Sequence, residues 1–262
     1  MYAESTGRKI WNVIYPVLAL FVLYFAVVYG GIFLFTSASC AANGTLDDYM
    51  GKYFSIVAVI GLIIVTIVES IFFKNDYVVQ SQSLKKKPLY LVSILLLGAA
   101  FSHGLNLLVS LFNINVIFDS YEAVEAEIFA PGVIFVIIRA VILAPIAEEL
   151  VFRGLVFRRM KNYTSFWPAA LVSSALFGLY HMNLAQGIYA FIFGIVLCEV
   201  YRRFNHLLAP MLLHFAANVL SVILTYTNVE YASQTMYIIF MALTFAVSFA
   251  IYWFVIRKAK TE

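Results

Sequence analysis

The residues in this 262-residue chain that could do chemistry are few and grouped. Glu148, Glu149 and Arg153 lie in one apolar stretch, His181 in the next, Glu199 in a third, and His214 with Asn218 in a fourth. Glu149 and Arg153 are i,i+4, so on a helix they share a face and neutralise one another. Glu148 is rotated about 100° from Glu149 and has no intrahelical cation of its own. A carboxyl in a poorly solvated site suits general base and acid work near pH 7. Pro145, three residues earlier, removes a backbone donor and predicts a kink that would admit water. His214 and Asn218 are also i,i+4, and an imidazole with an amide on one face is the equipment of an oxyanion hole. Their depths can be compared at 1.5 Å per residue. Glu148 lies roughly 15 Å above Arg158, His214 and Asn218 roughly 10 and 17 Å above Leu207, and His181 roughly 22 Å above Phe166. The last value agrees with the others only if its helix starts lower or tilts.

These groups must be positioned by elements of an unusual kind. The chain is 63% hydrophobic and 12% charged, which excludes both a water-soluble globule and a disordered chain. A net charge of +3, dispersed in short clusters, speaks against a nucleic-acid partner. Two cysteines, Cys40 and Cys198, are too few for a disulfide framework or a thiolate metal site. The fold class read from this is all-α: a polytopic membrane protein of about eight transmembrane helices. The spans run approximately Ile10–Phe35, Tyr53–Phe73, Leu89–Phe112, Gly132–Phe157, Phe166–Met182, Ala185–Tyr201, Leu207–Tyr226 and Thr235–Ile256. Basic clusters alternate with loops rich in acids, so the positive-inside rule predicts both termini in the cytoplasm. The first apolar run is too long for the core of a cleavable signal and is read as a span. The organisation expected is three helices and an outer amphipathic segment over 1–130 (the segment itself at Asn115–Phe129), a four-helix core over 131–226, and a last helix with a basic tail over 227–262.

Each buried ionisable group also has a plainer use. A Glu–Arg pair can clasp helices, and Asn or His can bond across them. Glu199 is expected to pair with Arg202 and Arg203 at the interface, Glu69 to pair with Lys74, and Arg139 to snorkel outward. His103 and Asn106 share a face in the outer half of the third span and have no assigned role.

The order of the motifs narrows the choice. Glu148–Arg153 reads E-E-x-x-x-R, Phe177–His181 reads F-x-x-x-H, and His214–Asn218 reads H-x-x-x-N, each in its own span. The combination resembles the CPBP (Abi) family of intramembrane proteases. That family takes in the type II CAAX prenyl endopeptidases and bacterial bacteriocin-processing and self-immunity proteins. The resemblance covers about Gly132–Leu220, with Gly194, Tyr201 and Leu208-Ala209-Pro210 inside it. It implies an intramembrane glutamic endopeptidase of the multi-pass kind, and the simple helical architecture without a targeting peptide or long loops predicts a prokaryotic cytoplasmic membrane. Glu148 would activate a water that His181 helps to hold, His214 and Asn218 would stabilise the oxyanion, and Glu149 and Arg153 would support them. The partners implied are a membrane-associated peptide or protein substrate, the lipid bilayer and membrane proteins. No cofactor is required.

Three other readings use the same residues. His181, His214 and Glu148 make a His₂Glu set that could hold zinc, although no H-E-x-x-H fixes two ligands on one helix. A non-catalytic scaffold or immunity protein would use the motifs for packing. A proton relay through Glu148 and the histidines would serve a transporter, but leaves the His–Asn pair without a purpose.

Overall fold

A computed structural model of the chain describes residues 5–40, 46–76, 88–112, 133–227, 229 and 231–259. The expected amphipathic segment Asn115–Phe129 lies outside them. The described residues form eight helical runs and no strand, so the molecule is an all-α, multi-pass membrane protein. We number the helices α1 (Thr6–Cys40), α2 (Leu46–Asp76), α3 (Pro88–Leu111), α4 (residues 133–161), α5 (Phe166–Tyr180), α6 (Leu184–Phe204), α7 (Leu208–Thr227) and α8 (Gln234–Phe254). Six of them, all but α4 and α5, hold segments long and apolar enough to cross a bilayer. With 15 residues, α5 rises only about 22 Å against a hydrocarbon core of about 30 Å. The helix α4 is continuous but unevenly wound, with π-helical stretches at Ile137–Leu143 and Leu150–Phe157.

The chain divides into two compact units, Met1–Val78 with Glu125–Tyr163, and Val79–Val124 with Thr164–Glu262. In the first unit α1 and α2 pack through small residues, which let apolar helices approach closely. Gly31 lies against Val57 and Gly61 against Tyr24, beside a buried cluster of Val28, Ile32, Val57 and Ala58. Pro16 lacks an N–H, so the Asn12 carbonyl four residues back has no helical partner. Arg159, at the end of α4, supplies it: Nη1 donates to that carbonyl at 2.5 Å. The same guanidinium donates to Asp76 at 2.5 Å and to the Tyr15 hydroxyl at 2.6 Å, and lies 4.6 Å above the Tyr15 ring. One cation thus ties α4 to both α1 and α2.

In the second unit α3 packs against α7 and α8, and α5 against α6. Two glycines set the closest approaches. A Cβ on Gly98 would overlap the Leu213 carbonyl, and one on Gly178 would come within 2.6 Å of the Gly187 oxygen. Between α5 and α6 the chain reverses in three residues. His181 caps the C-terminus of α5, Met182 takes a left-handed φ of 53°, and Asn183 Oδ1 accepts from the Gln186 N–H at 3.1 Å to start α6.

Glu69 departs from expectation. It does not pair with Lys74 at the interface: it is fully buried, and neither carboxylate oxygen has a hydrogen-bond partner among the described residues. Lys74 is exposed at the end of α2, five residues on and so on a different face. Glu199 behaves as expected, bonded to Arg202 and Arg203 at 2.7 Å each, and it also accepts from the Tyr252 hydroxyl at 2.9 Å. Arg139 lies 5.8 Å over the Phe54 ring, half-buried, where a snorkelling side chain would face solvent.

Candidate active site

The acidic part of the motif set belongs to the first unit. Pro145 does not break α4. The helix widens ahead of it, with the Ala144 N–H bonding the Arg139 carbonyl five residues back, a π turn beside the missing donor. A short α-helical stretch, Ala144–Glu149, then carries both glutamates before the second π stretch begins. Arg153 Nη1 donates to Glu149 Oε1 at 2.9 Å, and both side chains are excluded from solvent. Glu148 is also buried, at 7% exposure. The reading of Glu149 as the paired acid agrees with this geometry.

The His and Asn part belongs to the second unit. His181 sits at the end of α5, where its own N–H bonds the Gly178 carbonyl at 3.2 Å in a tightened last turn. The Phe177 carbonyl, one residue earlier, lies 2.9 Å from His181 Nδ1. A carbonyl can only accept, so Nδ1 carries the proton, and in the neutral ring Nε2 bears the lone pair. Phe177, four residues before His181, also stands edge-on to His214, with ring centroids 4.9 Å from His181 and 5.9 Å from His214. Phe193 of α6 holds His214 from another side at 5.7 Å. The F-x-x-x-H spacing therefore puts one ring against both imidazoles.

His181 and Asn218 line one pocket of about 160 Å³, together with Asn106, Ser110, Gln186, Tyr189 and Ser221. The pocket is polar, the kind of wall that binds a peptide backbone or a water through hydrogen bonds. His181 and Asn218 meet in this pocket although their counted depths differ. The Arg202 guanidinium lies 5.0 Å over Phe166, at the start of α5. Asn106 gains a place on the pocket wall, while His103 Nε2 bonds the Tyr231 hydroxyl at 2.7 Å. Gln186 and Tyr189 were not singled out from the sequence. The available signal was their i,i+3 spacing at the start of α6, just past a histidine-bearing turn. Among the described residues no three His, Cys, Asp or Glu side chains are grouped closely enough to hold a metal ion.

The fold defines a helical, multi-pass membrane protein whose chemistry-bearing residues are buried or half-buried among its helices. Comparison with known proteins places it further. Residues 130–220 match the family described as "Type II CAAX prenyl endopeptidase Rce1-like". That match, with the first relative below, supports the resemblance of this segment to the CPBP/CAAX protease family. The chain is 28% identical over 112 residues to "Putative membrane peptidase YdiL" of Bacillus subtilis (strain 168), an overlap of 43% of this chain and 42% of that protein. It is 36% identical over 99 residues to "Uncharacterized 24.3 kDa protein" of Escherichia coli, covering 36% of this chain and 45% of that one. The chain thus spans less than half the length of these relatives. No solved structure matches it significantly.

Proposed function

We propose that this chain is an intramembrane endopeptidase that hydrolyses a peptide bond of a membrane-associated peptide or protein with a glutamate-activated water. The observation that carries the reading is the polar pocket shared by His181 and Asn218, whose residues stand in motif order after the buried Glu148. In the proposed reaction Glu148 takes a proton from water as the water oxygen bonds to the scissile carbonyl carbon. His181 holds that water through the lone pair on Nε2. Charge collects on the carbonyl oxygen, which accepts hydrogen bonds from the His214 ring N–H and the Asn218 amide. Collapse breaks the C–N bond, and Glu148 returns its proton to the leaving amine. No acyl-enzyme forms, since no serine or cysteine attacks. Glu149 neutralises Arg153 and fixes the helix turn that presents Glu148. We further propose a prokaryotic cytoplasmic membrane with both termini inside, from the alternation of loop charge.

The test is to express wild-type protein and Glu148→Gln to equal levels and to map new peptide termini in the membrane fraction by mass spectrometry. Termini that depend on Glu148 support the proposal, and an identical set in both strains refutes it. Cleavage by purified protein that persists in excess chelator separates the water-activating glutamate from a zinc-bound water, which would lose activity.

A further inference from the structure

A cavity larger than the polar pocket lies elsewhere among the described residues. It is an apolar groove of about 760 Å³ within the second unit, walled by Leu97 and Phe101 of α3, Val196 of α6 and Phe245 and Phe249 of α8. Trp167 and Phe249, both 63% exposed, stand at its margin. The volume lies in the range of specific ligand sites. None of the proposed catalytic residues lines it.

One end of the groove is charged. Glu199 and Arg202 both line it there, with Tyr252. The Glu199 carboxylate is shared between Arg202, Arg203 and Tyr252. Arg203 continues to the Arg257 carbonyl at 2.7 Å, and the Arg257 guanidinium stacks 3.9 Å over Trp253. Two cations, Arg202 and Arg203, thus hold one carboxylate at this end, and the exposed Arg257 and Lys258 follow the end of α8. Arg202 bonds Glu199 through Nε and Nη2, which leaves Nη1 on a side chain that is 41% exposed. From Tyr252 to Phe245, the lining residues of α8, is seven residues, so the groove runs roughly 10 Å along α8 from its charged end.

An apolar channel of that length with a cationic mouth at the interface matches one kind of molecule. We propose that the groove is a specific site for an anionic phospholipid, its phosphate at Arg202 and one acyl chain laid between α3, α6 and α8. The positive-inside rule sets the cationic end in the cytoplasmic leaflet, where anionic lipids meet basic side chains. The aromatic rim of Trp167 and Tyr252 suits the same depth. The site is independent of the proposed peptidase activity, and its test reads lipid binding alone.

Trp11 is replaced by Phe, so that Trp167 and Trp253 are the remaining tryptophans, both in the unit that holds the groove. The protein is reconstituted in phosphatidylcholine vesicles containing a small fraction of phosphatidylglycerol with brominated acyl chains, or the same fraction of brominated phosphatidylcholine. Bromine quenches tryptophan on contact. The anionic lipid is expected to quench at least several-fold more strongly than the neutral lipid at equal mole fraction. Arg202→Gln, which leaves Glu199 its bonds to Arg203 and Tyr252, should bring the two lipids to parity. Val196→Phe, which fills the groove, should reduce quenching by the anionic lipid to the level of bulk contact. Equal quenching by both lipids in the unsubstituted groove overturns the proposal. So does an anionic preference that survives Val196→Phe, because the lipid would then sit elsewhere on the surface.

Discussion

At the residue scale, one pair of buried charges is balanced locally. The Glu149–Arg153 pair is fully enclosed, and an enclosed pair is held by mutual attraction against a large desolvation penalty. Removing one member leaves its partner's charge uncompensated, at a cost of about 3–5 kcal/mol. Arg153→Met should therefore lower the thermal unfolding midpoint sharply, while Glu149→Gln/Arg153→Met recovers most of the loss. A double variant as unstable as the single would show that the pair contributes through something other than charge balance. This pair was legible from its i,i+4 spacing alone. The pocket residues Gln186 and Tyr189 were not, because nothing in a single sequence says which face of α6 meets α5 and α7. The same limit applies to Glu69, whose neighbour in sequence, Lys74, suggested a partner that the helix turns away from it.

At the element scale, close backbone approaches fix where the imidazoles stand. Gly98 of α3 lies against the backbone of Leu213, the residue before His214. Adding one methyl must push α7 away, and overpacking of this kind costs about 1–3 kcal/mol. Gly98→Ala is expected to lower the unfolding midpoint and to reduce cleavage beyond the loss of folded protein. Cleavage unchanged per folded molecule would show that His214 tolerates the displacement. The winding of α4 makes a second demand. Each π turn carries one residue more than an α-turn, so rewinding Ile137–Leu143 would rotate everything after it by about 100°. Pro145→Ala restores the donor whose absence favours the wide turns. It should depress activity while leaving the unfolding midpoint near that of the parent, and full activity would separate Glu148 from the winding of its helix. The positions of α1 to α3 and α6 to α8 follow from apolar length and agree with the expected spans to within a few residues. The shortness of α5 was visible in the same way, in the expected span Phe166–Met182, whereas the π character of α4 was not, since apolar length says nothing of winding.

At the scale of the whole molecule, the small charged fraction divides the labour. Lys and Arg collect at one set of helix ends, acids in the alternate loops, and the few charges left inside are paired, buried or at the candidate site. The resulting orientation can be read directly with cysteines placed in a background lacking Cys40 and Cys198. Ser233→Cys, at the start of α8, should react with a membrane-impermeant maleimide in intact cells, and Lys258→Cys, at its other end, should react after permeabilisation only. Labelling of Lys258→Cys in intact cells would invert the topology and with it the leaflet assigned to the cationic groove. The second and third motifs share one unit and the first lies in the other.

The most direct measurement is the rate of peptide cleavage by Glu148→Gln beside that of the parent, at equal folded protein in membranes. The substitution keeps size and removes the proton acceptor, and loss of a general base lowers rates by about 10²–10⁴-fold. A fall of that size, with the unfolding midpoint held, is the expected result. Cleavage at the parental rate would contradict the assignment of Glu148 as the base that activates water.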